Sequence, residues 1–202
     1  MARFFSQFLI AISLSVFLGM TFSGNESEPA LENKSYIPSK YPDHIPGAFT
    51  GGFGEETCHT CHFSFDINEE NGGLTVEGLN DSYRPGEQYE IVVRVESEDL
   101  GKGGFQMTAR FEDGSQAGSF EPAGERLTFT YGMKEEIEYL QHSISGTRPT
   151  SDNRVSWSFV WEAPGESSEP VIFNIAANAA NDDFSEFGDR IYVQEIIVGS
   201  GQ

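Results

Sequence analysis

The sequence predicts an all-β fold, a β-sandwich preceded by an irregular segment, from three features. Apolar and polar residues alternate with a period of two through most of the chain after Leu74. Clusters of Gly, Pro, Asp and Asn punctuate these runs at short intervals, as turns between strands do. No stretch of ten residues keeps a helical period, so an all-helical architecture is not expected.

Taken in order, residues 1–23 read as a secretory signal peptide. Arg3 supplies a positive start, Phe8–Gly19 is almost wholly apolar, and Thr21-Phe22-Ser23 is a small-residue exit. The apolar run is shorter than the roughly 20 residues that span a bilayer, which favours cleavage near Ser23 over a retained anchor. No cysteine lies near the exit and no second apolar run follows, so a soluble, exported chain without stable membrane insertion is expected. Residues 24–45 are polar, contain Pro29, Pro38 and Pro42, and read as an extended linker.

Residues 46–70 carry the chemistry. The chain has two cysteines, and they fall in Cys58-His59-Thr60-Cys61-His62, directly after the Gly-rich loop Gly47–Gly54. Two thiols three residues apart can each form a thioether to one vinyl group of a porphyrin. The histidine that follows is then held beside the iron. The spacing therefore predicts one covalently attached c-type haem, with Cys58 and Cys61 as attachment points and His62 as proximal ligand. Export is the condition that such attachment requires in bacteria, and the leader meets it. Three other readings compete: a redox-active pair, which needs a thioredoxin-like setting; a small disulfide loop; and a zinc site of Cys58, Cys61, His62 and His44.

Five residues are candidates for the sixth position on iron: His44, His59, His142, Met107 and Met133. Met107 alternates with Phe105, Ala109 and Phe111 and so belongs to a core face. Met133 sits between Gly132 and Lys134-Glu135-Glu136, a polar turn that would support a ligand loosely. His59 adjoins an attachment cysteine and is poorly placed to cross the ring. His44 could fold back from the loop before the motif. His142 ends the run Ile137–His142, sharing a face with Leu140 and Glu138, and ranks first, with His44 second.

From residue 71 to 202 a single β-domain is expected. Tyr89, Ile91, Val93 and Val95 form one apolar face, and Val155, Trp157, Phe159 and Trp161 another. Further strands are read at 127–131, 170–175 and 191–198, with turns at Arg84-Pro85-Gly86, Glu112-Asp113-Gly114, Ala163-Pro164-Gly165 and Phe187-Gly188-Asp189. The acidic stretch Asn181-Asp182-Asp183 with Glu186 and Asp189 reads as a solvated loop, with calcium binding as the alternative.

Charge narrows the partners. With 12 basic against 32 acidic side chains, the net charge is −20. Nucleic acid and anionic lipid are poor partners for such a chain, whereas a redox protein with a basic docking face suits it.

Several segments resemble the Reeler domain of reelin-like secreted proteins. They are Tyr83-Arg84-Pro85-Gly86, Gly104-Phe105-Gln106, Leu140-Gln141-His142-Ser143, the run from Trp157 to Pro164, and Ala177-Asn178-Ala179-Ala180-Asn181. More closely, residues 46–200 resemble bacterial secreted proteins that place a Gly-rich C-x-x-C-H segment ahead of such a domain, the choice-of-anchor V type. The resemblance implies an immunoglobulin-like sandwich in the periplasm or at the cell surface. It also implies a matching His-Ser at His142 in the strand order. The sorting tail that often closes such proteins has no counterpart after Gly199-Ser200, so surface anchoring is not expected. The function expected is haem binding and electron transfer, non-enzymatic, with an open sixth position and ligand sensing or weak peroxidase activity as a variant. The other class is an interaction module in which the cysteines form a disulfide or bind zinc.

Overall fold

The computed structural model describes residues 47–131, 136–166 and 168–201. The expected signal peptide, the linker, His44 and Met133 lie outside them. Among the described residues, ten strands form two sheets, as the alternation predicts. One has four strands, in the order β1 (Gly72–Glu77), β3 (Gln88–Ser97), β8 (Arg154–Glu162), β5 (Ser119–Pro122). The other has six, in the order β2 (Ser82–Tyr83), β10 (Arg190–Ser200), β9 (Val171–Ala180), β4 (Lys102–Arg110), β7 (Glu138–His142), β6 (Leu127–Tyr131). Every pairing is antiparallel except the short β2–β10 contact.

The core lies between the sheets, where the period-two faces meet. Ile91, Val93 and Val95 of β3 and Val155, Trp157, Phe159 and Trp161 of β8 come from one sheet. Phe105, Met107 and Ala109 of β4, Leu140 of β7 and Phe173, Ile175 and Ala177 of β9 come from the other. Met107 is fully buried here, in the interior position that its alternation indicates. Phe105 lies against Trp157 with ring centroids 4.6 Å apart, and Trp161 meets Phe173 edge-on at 4.8 Å. Each indole N–H is satisfied, Trp157 by Gly146 O at 2.9 Å and Trp161 by Ala117 O at 3.1 Å, so these large rings bury without an unpaired donor.

The second face of the six-stranded sheet is covered too, which alternation alone does not indicate. Gln106, Thr108 and Arg110 of β4 and Asn174 and Ala176 of β9 are buried although they alternate with core residues. Their cover is the segment that begins at Gly47. Phe49 N–H donates to Gln106 Oε1 at 2.6 Å, and Gln106 Nε2 donates to Gly47 O at 2.8 Å. Gly52 lies so close to Asn174 that a Cβ there would stand 2.1 Å from its Oδ1, which explains a glycine at that position. Ala48 closes a small apolar cluster with Ile137 and Tyr139. Further along, Asn68 binds the open edge of β10: its N–H reaches Ile191 O at 2.9 Å, and Val193 N–H donates to its Oδ1 at 2.8 Å. An unpaired strand edge is thereby capped. Residues 47–71 are thus fastened along the sheet rather than tethered ahead of it.

Candidate functional site

The Cys58–His62 run is shaped locally. An isolated bridge pairs Thr50 with Thr57, and the intervening chain turns through Gly51 (φ +78°) and Gly54 (φ +80°). Thr57 then caps a 3-10 turn over Cys58–Thr60, its hydroxyl accepting from His59 N–H at 3.2 Å. Cys61 N–H and His62 N–H both reach back to Cys58 O, at 3.3 and 3.1 Å. Residues three and four apart in such a turn share a face, so Cys58, Cys61 and His62 project to the same side. His59 leaves that side, with Nε2 within 2.9 Å of Phe65 O. The two sulfurs are unbonded, and burial pushes the Cys58 thiol up to about 12.

An ion pair anchors the run to the sheet. Glu55 Oε1 is 2.7 Å from Arg110 Nη1, with side chains 14% and 5% exposed, and the Tyr139 hydroxyl donates to the same oxygen at 2.5 Å. Thr50 Oγ1 donates to Glu55 Oε2 at 2.6 Å. The Phe53 ring covers the guanidinium, with the Arg110 carbon 4.2 Å from the ring centroid. Burial, then the neighbouring Glu55 carboxylate, raises the Tyr139 phenol well above its ordinary value, so it remains a donor.

Cys58, Cys61 and His62 border an open cleft of about 250 Å³. It is also lined by Gly103 and Gly104 of β4, Asn178 and Ala180 of β9, and Gln141, His142 and Thr147. The structure therefore brings three predicted site residues to the same cleft as the fourth, His142, from 80 residues further along the chain. Alternation places His142 with Leu140, facing the core. Here β7 ends and the β4–β7 ladder is confined to Gln106–Gln141 and Met107–Leu140, which frees the ring to turn to the cleft. It takes the space that a Cβ on Gly104 would fill, 2.7 Å from Cε1.

Both histidines are held by Nδ1. His142 Nδ1 lies 3.0 Å from Phe105 N and 3.1 Å from Phe105 O. One nitrogen cannot serve both. With Phe105 N–H donating to Nδ1 the ring proton sits on Nε2, whereas with Nδ1–H donating to the carbonyl the Nε2 lone pair is free. Burial lowers the His142 pKa, which favours the neutral ring that can act as a ligand. His62 Nδ1 is 2.7 Å from Asp189 Oδ2. Asp189, read from the sequence as part of a solvated acidic loop, has a side chain only 1% exposed. It also accepts from Asn181 N–H at 3.1 Å and Asn178 Nδ2 at 3.3 Å. No sequence signal links His62 to a carboxylate 127 residues away; the link exists because β10 begins beneath the motif.

Among the described residues, no group of three or more His, Cys, Asp and Glu side chains is arranged to hold a metal ion, in the acidic turn or at the motif. No helix among them is long and apolar enough to cross a membrane.

No protein-family model matches the chain, and no curated protein matches it. Solved structures similar to it include the Reelin-N domain of F-spondin, at 20% identity over 71% of this chain and 97% of that one, with a TM-score of 0.47. The human F-spondin reeler domain is similar at 19% identity, over 67% and 93% of the two chains, with a TM-score of 0.43. A cohesin module from a Clostridium perfringens glycoside hydrolase follows at 14% identity, over 64% and 98%, with a TM-score of 0.40. Likenesses this distant add nothing to the two-sheet architecture that the strand pairing shows directly, and they do not bear on the cleft.

Proposed function

We propose that the chain is an exported monohaem protein of the c-type cytochrome kind, periplasmic or extracellular, that carries single electrons to or from another redox protein. The observation that carries this reading is the cleft itself, which Cys58, Cys61 and His62 line together with His142.

The residues fit the group by their chemistry. A macrocycle needs an apolar surface beside the thiols, and Phe49 and Ala180 line the cleft together with Cys58 and Cys61. Thioether formation needs two reduced thiols, and Cys58 and Cys61 are unpaired. An axial imidazole needs Nε2 free and Nδ1 occupied, the arrangement that Asp189 gives to His62 and that the Phe105 carbonyl offers to His142. That Cys58, Cys61 and His62 do not converge on one point suits a porphyrin, whose edge and centre they would reach separately, better than a zinc ion, which needs all ligands at about 2 Å.

When bound, haem supplies a one-electron ferric–ferrous couple. Cys58 and Cys61 would hold the ring, and His62 and His142 would ligate the iron. The excess of acidic side chains steers the molecule toward a basic partner surface. The test is a pyridine haemochrome assay with a reduced-minus-oxidised spectrum, on protein made in cells equipped for haem attachment. A c-type haemochrome at one per chain supports the reading. Absence of haem from such preparations rejects it.

A further inference from the structure

We propose that Asp189 is the positioning residue of the iron site, a buried carboxylate that holds the His62 ring and lowers the reduction potential of the iron it ligates. This rests on the haem reading above and adds to it a determinant of the potential.

Geometry carries the inference. His62 Nδ1 and Asp189 Oδ2 are 2.7 Å apart, the short end of a charge-assisted hydrogen bond. Nδ1–H must be the donor, because an ionised carboxylate only accepts. The proton is thereby fixed on Nδ1, and the lone pair on Nε2. The carboxylate is fixed in turn. Oδ1 accepts from the Asn181 peptide and Oδ2 also accepts from the Asn178 amide, so it cannot rotate away without losing both. Gly188, just before it, has φ +82° and donates its N–H to Ser64 Oγ at 2.9 Å, which ties this turn to the segment after His62.

The negative charge is not spent on a cation of the same turn. Arg190, the next residue, is directed to Asp99 at 3.5 Å and lies over the Phe65 ring, 4.6 Å from its centroid. A buried carboxylate on Nδ1 pulls the ring toward imidazolate and makes Nε2 a stronger donor. Stronger donation and a nearby anion both favour ferric over ferrous iron. A peptide carbonyl, the acceptor available to His142, lacks the full charge and does this less.

The experiment compares wild-type holoprotein with Asp189→Asn, both matured with haem. In the variant, one oxygen can still accept, but an NH2 group replaces the other and the charge is gone. The expected result is retained covalent haem and a raised midpoint potential, with the ferric-to-ferrous ratio at fixed solution potential falling about tenfold, or ~59 mV for a one-electron couple. An unchanged or lowered potential overturns the proposal while leaving the haem reading intact. Wild type without haem overturns that reading and the proposal together. Should Asp189→Asn fail to accumulate, resonance Raman of ferrous His142→Ala, with Asp189 intact, decides. An iron–histidine stretch raised above that of a carbonyl-bonded histidine supports the carboxylate bond. A stretch at the carbonyl-bonded value overturns it.

Discussion

His62 and His142 meet the same cleft with Nδ1 engaged, but one faces a carboxylate and the other the N–H and carbonyl of the Phe105 peptide. The difference predicts how each behaves when altered. His142→Ala removes a side chain that interacts with the Phe105 peptide, so β4 should stay in place while the distal position opens. The holoprotein should change from low-spin to high-spin and bind added imidazole, read by absorption spectroscopy; an unchanged low-spin spectrum would make His142 structural. The cysteines separate in the same way. Cys58, with its thiol pushed up to about 12, is almost entirely protonated at pH 8, whereas Cys61 is exposed. In the haem-free protein, iodoacetamide at pH 8 should label Cys61 well before Cys58, as peptide mapping by mass will show. Equal labelling would mean that Cys58 is not held in the turn described.

At the scale of elements, the sandwich and the segment lying over it depend on different forces. The β8 core is apolar, and Trp157→Ala should cost about 3–5 kcal/mol, measured by denaturant unfolding. The segment is held by polar contacts centred on Glu55. Glu55→Ala leaves the buried Arg110 without its carboxylate, a loss below the ~3–5 kcal/mol of a fully buried pair because Glu55 is partly exposed. The cost should appear as loosening of residues 47–62, seen as faster amide exchange there than in β3 and β8. This division also explains what could be read in advance. The strands at 89–95 and 155–161 declare themselves because one face is apolar and the other polar. β4 carries no such contrast, since its second face is buried under Gly47–Thr57, and Gln106 and Arg110 look like surface residues until their partners are known. The two-residue β2 and the four-residue β5 are too short for any periodicity.

In the whole molecule, a two-sheet sandwich carries the C-x-x-C-H run on the segment that lies along its six-stranded sheet. The motif was legible because its chemistry is local: three residues within five positions. The cleft was not, because its parts come from the loop after Thr57, the glycines of β4, the end of β7 and the start of β10. Only the fold brings them together, and Asp189 is the clearest case, a buried partner hidden in an acidic stretch. On the reading proposed above, this assembled cleft holds a haem bonded to Cys58 and Cys61. That reading is tested most directly by the intact mass of the exported protein, matured with haem-attachment machinery and measured under denaturing conditions. The expected mass is that of the processed chain plus one haem, reduced to the bare chain when both cysteines are replaced by alanine. The bare mass in the unaltered protein would contradict it.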